Sequence, residues 1–200
     1  MTKLTYILLG ATLLAGVARA QDEPDNRPVK NTFSGTCLME NQTVMNAFQG
    51  EFEFQMQHRF GLVNNGIEDI FGVYATANTR MALNYGITDK LMVGLGTAKD
   101  YKLQDLSWKY SIFQQTNSGS KPVSVSYFGN MVLDAREKSN FGPGENYRFI
   151  HRISYFTQLI VARKFSKSLS LQAAPSFIYY NSTETGLDNM HYGFFCRGQA

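Results

Sequence analysis

The sequence is poor in the groups on which most site chemistry depends. Cys37 and Cys196 are the only cysteines in 200 residues. They are too few and too far apart for a disulfide scaffold or a metal motif, although an oxidising compartment would permit one bridge between them. The three histidines, His58, His151 and His191, form no close-set cluster of the kind that holds a metal ion. No metal or cofactor is therefore expected. No Gly-x-x-x-x-Gly-Lys-Ser/Thr phosphate loop occurs, and Gly142-Pro143-Gly144 reads as a loop-tip turn. Charged residues make up only 18%, low for a soluble domain. The net charge of +3 is spread without a Lys/Arg run, so nucleic acid is not an expected partner. Beyond residue 20 no apolar run approaches the roughly 18 residues of a membrane-crossing helix.

What the chain has instead is 15 Phe, 11 Tyr and 17 Gly, a mixture that favours β-structure with many turns. The length fits a single domain. Lys3, the apolar stretch Tyr6 to Val17 and the small-x-small end Ala18-Arg19-Ala20 predict a signal peptide over residues 1–20, cleaved before Gln21. The apolar stretch is too short to span a bilayer, and no cysteine at the cleavage point suggests a lipoprotein. Residues 21–30 read as a polar leader and residues 31–200 as the folded domain.

Period-two alternation, which places successive side chains on opposite faces of a strand, is the main pattern of that domain. Its clearest case is a hairpin. Ala77, Thr79, Met81, Leu83 and Tyr85 share one face, and after Ile87-Thr88-Asp89 the series continues with Leu91, Val93 and Leu95. Further strands are expected over Glu51–Phe60, Asp105–Gln115, Val123–Leu133, Phe149–Lys164 and Ser168–Asn181. A short apolar piece lies around Tyr192 to Phe195, and Asn31–Thr43 is a weaker candidate. From Glu51 these amount to six good strands and the start of a seventh. Connections near Thr88, Ser118 and Ser166 are short. Those at Gly61–Tyr74, Lys99–Gln104, Asp134–Tyr147 and Ser182–Asn189 are longer. Such alternation fits an up-and-down transmembrane barrel with short turns at one end and long loops at the other.

Alternation by itself leaves a soluble barrel open. Strands of about ten residues, tilted, suit the hydrocarbon thickness. Phe60, Tyr85, Tyr127, Tyr155, Tyr179 and Tyr180 suit an aromatic girdle at the membrane interface. Glu53, Arg59, Arg80, Lys109, Arg152 and Gln158 lie opposite the apolar face and are the candidate lumen-facing polar residues. On this reading a charge is tolerated better at Asn84 than at Leu83.

Gln57-His58-Arg59-Phe60-Gly61, Asp69-Ile70-Phe71-Gly72 and Asn84-Tyr85-Gly86-Ile87-Thr88-Asp89-Lys90-Leu91, in that order, resemble an uncharacterised Bacteroidetes-type family of outer-membrane β-barrels, a domain of unknown function. Pro28 to Phe33 and Val161 to Phe165 fit it too. The resemblance runs from Pro28 to about Tyr192. It implies an all-β, antiparallel up-and-down barrel in the outer membrane of a Gram-negative cell, but no activity and no catalytic residues. Membrane lipid and the barrel-assembly machinery are then the expected partners. Phe194 to Ala200 departs from the family's pattern. We therefore expect a barrel left unclosed at its C-terminal side, with the sequence interrupted near Gly193.

Three functions follow from different classes. One is a pore for small solutes. A second is a plugged structural or binding barrel that works through the loops Gly61–Tyr74 and Asp134–Tyr147. The third is a rim-site hydrolase using His58 near Asp69 or His151 near Ser154. The expectation is that the chain is not an enzyme.

Overall fold

A computed structural model describes residues 24–39, 41–141, 147–183 and 186–199. The proposed signal peptide and the turn Gly142-Pro143-Gly144 lie outside the described residues.

Eight strands form one antiparallel sheet: β3 (Phe52–Arg59), β4 (Asn78–Thr88), β5 (Leu91–Ala98), β6 (Leu103–Phe113), β7 (Ser124–Asp134), β8 (Ile153–Lys164), β9 (Ser170–Tyr180) and β10 (Met190–Gln199). Each pairs with its neighbour in sequence, so the sheet is a continuous meander. Strand lengths run from 8 to 12 residues, enough for tilted strands to cross a bilayer. The count exceeds the six and a part expected: the two arms of the hairpin and the five further spans already make seven, and the last piece is a full strand. Met190–Gln199 stays in register with β9 through Gly193 to Gln199, so no break occurs at Gly193.

Local chemistry sets the turns. At the β4–β5 corner the Thr88 hydroxyl accepts the N–H groups of Lys90 and Leu91. Ile87 is skipped in the ladder, a bulge that tightens the corner. Phe149–Arg152, expected as the opening of β8, is a 3-10 turn, and the strand proper begins at Ile153.

The faces are inverted relative to a soluble protein. Phe54, Leu83, Leu95, Leu106, Leu159 and Leu171 point outward and are exposed, while Asn84, Ser107, Lys109, Ser126, Gln158 and Gln172 are buried. An apolar belt outside and polar groups within is the pattern of a barrel whose solvent is lipid.

Asn31–Thr43 is not a strand of this sheet. It contains only the two-residue strands β1 (Cys37–Leu38) and β2 (Asn41–Gln42), paired with each other. Its neighbours β3 and β10 are the sheet's two edges and do not pair with one another. The sheet nevertheless curls far round. Ser34 donates its N–H to the Gln199 side chain on β10, and Thr36 donates its hydroxyl to Glu53 on β3. The barrel is thus open along one seam, as expected, and the N-terminal segment spans that seam from within.

Candidate functional site

The inner face of the barrel is occupied by the chain's own residues 31–39 and 41–49. Arg27 to Val29 rest on the β6–β7 turn: Val29 donates its N–H to the Gln115 carbonyl, and Pro28 bridges to Thr116. The segment then enters from the short-turn end, reverses through β1 and β2, and returns to start β3. Gly50 there donates its N–H to the Gly86 carbonyl. Glycine is required at Gly86, because a side chain there would strike the carbonyls of Ala47 and Phe48.

This hairpin plug touches every strand of the sheet. Beyond the contacts to β3, β4 and β10 already described, Ala47 N–H points at the Met92 sulfur on β5 (3.4 Å) and the Asn46 amide donates to Ser111 on β6 (3.2 Å). Ser126 of β7 donates to the Val44 carbonyl. Gln158 of β8 donates to the Asn41 side chain, and Gln172 of β9 to the Gln42 carbonyl at 2.8 Å. Phe33 and Val44 pack against Phe128, Ile160, Ala162 and Ala174. Burying each of these two plug side chains contributes roughly 1.5–3 kcal/mol.

Lys109 is the central polar anchor. It is wholly buried, and its ammonium donates to the Thr36 carbonyl (3.0 Å) and the Gln42 side-chain oxygen (3.1 Å). A buried ammonium is costly unless hydrogen-bonded, and the plug supplies both acceptors. The other candidate residues sort by depth. Glu53 and Gln158 bond to the plug. Arg80 forms a two-pronged pair with Asp105 (2.9 and 2.5 Å), and Asn130 donates to the same carboxylate. Arg59 is exposed at the end of β3. Arg152 lies at the rim.

That rim, at the long-loop end, encloses a cavity of about 1070 Å³, at the upper end of small-molecule sites. Arg136, Arg152, Phe141, Tyr101, Tyr180 and Asn181 are among its walls. Asp134 grips Arg136 through Nε (3.0 Å) and Nη2 (2.6 Å), pushing the guanidinium's already high pKa further up. Arg136 also lies 4.3 Å from the centre of the Tyr101 ring. Arg152 donates through Nε to the Tyr147 hydroxyl (2.5 Å) and through Nη1 to the carbonyls of Asp134 and Arg136, and it stacks on Phe141. Both arginines therefore tie the two described ends of the β7–β8 connection, residues 134–141 and 147–152, together. Tyr180 faces this cavity and not the lipid, so it leaves the expected girdle. Even-numbered side chains of β9 point inward, as Ser176 and Gln172 do.

The histidines are dispersed. His58 sits edge-on to Phe60 at 4.8 Å, His151 accepts the Arg148 N–H at Nδ1, and His191 packs on Tyr180. Among the described residues no group of three or more His, Cys, Asp or Glu could hold a metal. Cys37 and Cys196 are both free. Cys37 belongs to the plug beside Gln57, whereas Cys196 shares the outward face of β10, so the bridge that an oxidising compartment would permit is not made.

Sequence reasoning offered a plugged barrel as one reading but did not find the plug in the N-terminal segment, and it missed Asp105, Asp134 and Arg136. Asp105 was within reach of it, since it has the same strand parity as Lys109. The plug gave no such signal, because its order comes from side chains far along the chain.

Residues 33–199 match the family model described as Membrane bound beta barrel domain (DUF5777). The match extends through Phe194 to Gln199, so the end of the described chain does not depart from the family as expected. No curated protein and no solved structure matches. With nearly the whole folded region covered, the chain belongs to this family of membrane-bound β-barrel domains of unknown function.

Proposed function

We propose that this is an outer-membrane barrel that is plugged at rest and acts by binding at its long-loop rim, not as a standing pore for small solutes. The observation that carries this reading is the hairpin plug, residues 31–39 and 41–49, which touches all eight strands of the sheet. The plug occupies space on the inner face and takes hydrogen bonds from Lys109, Ser126, Gln158 and Gln172, which supports a lumen with little free cross-section for solutes. The rim cavity, held open by Arg136 and Arg152, is the natural place for a polar, aromatic-compatible ligand to sit.

Export through a cleaved signal peptide, delivery by the barrel-assembly machinery and an outer-membrane location with the long loops outside complete the proposal. Catalysis is not part of it. His151 uses Nδ1 on the Arg148 backbone, and His58 packs on Phe60 at the outer face. The test is conductance. Full-length protein that is shown to be folded, by a heat-dependent gel shift, is inserted into planar bilayers. Silent insertions are expected, and steady steps of open conductance at modest voltage would overturn the plugged reading.

A further inference from the structure

The connection from β3 to β4 is unusual for a loop. Leu62, Val63, Ile67, Ile70, Phe71 and Tyr74 are each between 50 and 82% exposed. Connections that face water are polar, and a contiguous exposed apolar patch of this kind marks an interaction surface. The loop is also internally closed. Phe71 donates its N–H to the Gly66 carbonyl (2.6 Å), Tyr74 to Asp69 (3.0 Å) and Gly61 to Gly72 (3.1 Å), while the Asp69 carboxylate accepts the Gly72 N–H (2.9 Å). Ile70 and Phe71 hold left-handed backbone at φ 50° and 55°, a region that bulky residues rarely adopt. A 3-10 turn at Val63–Asp69 forms the body of the loop.

Pairing of these backbone groups within the loop lowers the cost of taking it out of water, and as an irregular segment its place is the headgroup boundary and not the hydrocarbon core. The loop also continues an interface already present. It leaves β3 at Phe60, where the outward stripe of Phe52, Phe54 and Met56 ends, and that stripe faces lipid. Phe60, Phe71 and Tyr74 bring the aromatic rings that favour the headgroup boundary.

We propose that residues 60–74 form a membrane-seated rim. The loop lies on the leaflet at the long-loop end, with Leu62, Ile67 and Ile70 in the boundary between headgroups and acyl chains, and it does not stand in water as a ligand-binding loop. The occupant of the patch is membrane lipid, because the patch is continuous with the lipid-facing belt. This proposal rests on the membrane barrel alone and is independent of whether the lumen conducts.

The experiment uses full-length protein with Cys37→Ser and Cys196→Ser, in phosphatidylcholine nanodiscs that hold one copy each. An environment-sensitive fluorophore is attached at Ile67→Cys, at Leu62→Cys as a second site, and at Lys138→Cys on the β7–β8 loop for comparison. A heat-dependent gel shift verifies folding of each. Nitroxide carried on lipid just below the headgroup should quench the label at residues 67 and 62 several-fold more than at 138, and aqueous iodide should do the reverse. Iodide quenching at 67 and 62 equal to that at 138 overturns the proposal. So does protection from iodide that occurs only in vesicles carrying many copies and vanishes in single-copy discs, which would assign the patch to a second copy of the chain.

Discussion

Arginine introduced at three positions separates the inside of this barrel from its outside and tests whether the inner face is packed. Leu83 lies in the middle of β4, opposite Phe54 on β3 and Leu95 on β5. Arginine there meets hydrocarbon near the midplane, at a cost of about 2–4 kcal/mol. The next residue, Asn84, is on the inner face and only 4% exposed. Its amide sits where a side chain on Gly94 would have to go, and Ser107 closes the same space. An open lumen would tolerate arginine at Asn84, as the alternation alone suggests. The packed interior does not, because overfilling costs about 1–3 kcal/mol, even though the new charge would face Glu53 opposite on β3. Ser154 lines the rim cavity, where Arg should change stability by less than about 0.5 kcal/mol. The assay is urea unfolding in lipid vesicles, followed by the emission of Trp108 and by heat-dependent gel mobility. Leu83→Arg should lower the folded-to-unfolded ratio roughly 30- to 900-fold, with Asn84→Arg clearly impaired and Ser154→Arg near wild type. Asn84→Arg as benign as Ser154→Arg would refute the packed inner face. Leu83→Arg as benign as Ser154→Arg would refute the outward lipid face.

Other outcomes are expected from single sites. A side chain at Gly129 would collide with the Trp108 indole across the β6–β7 ladder, so Gly129→Val should cost about 1–3 kcal/mol and shift the emission of the only tryptophan. Asp134→Ala releases Arg136 from its two-pronged pair. It should raise protease sensitivity of the β7–β8 loop while changing global stability by less than about 1 kcal/mol, since the pair is partly solvated. The Arg27 side chain, and then Asn117, hold the Asp25 carboxyl well below the usual carboxylate range. The contact is therefore complete above about pH 4 and is lost only at far lower pH. Amide exchange at Ser118, whose N–H is donated to the Asp25 carbonyl, should stay slow down to that range, and loosening near pH 5 would refute the assignment. With both natural cysteines removed, a cysteine at Lys138 should react with an impermeant thiol reagent on whole cells. One at Asp89 should react only after the outer membrane is opened, and the reverse pattern would invert the orientation.

Much of the barrel was legible in the sequence. Residues such as Leu83, Leu95, Leu106, Leu159 and Leu171 fall on one face by parity alone, and the structure places them together outside. Short connections near Thr88, Ser118 and Ser166 mark one end of the meander for the same local reason, the turn chemistry of Thr, Asp, Ser and Gly. The candidate site was only partly legible. Lys109, Arg80, Glu53 and Gln158 could be assigned to the polar face, but nothing local told what they would meet. Arg136 and Asp134 lay in a stretch that read simply as a charged loop.

The sequence by itself determined two-sided strands, their order and the end of the sheet at which long loops gather, because a period of two and turn residues are local properties. Only the tertiary structure decided that the polar side is closed by the chain's own N-terminal segment and that Asn31–Thr43 is plug and not strand. Alternation is symmetric with respect to inside and outside, and the bonds that seat the plug join residues far apart in sequence. The Lys109 ammonium reaches the Thr36 carbonyl across 73 positions, and the Gln172 amide reaches the Gln42 carbonyl across 130. Contacts of that span are set by the curl of the whole sheet, which no window of residues along the chain contains.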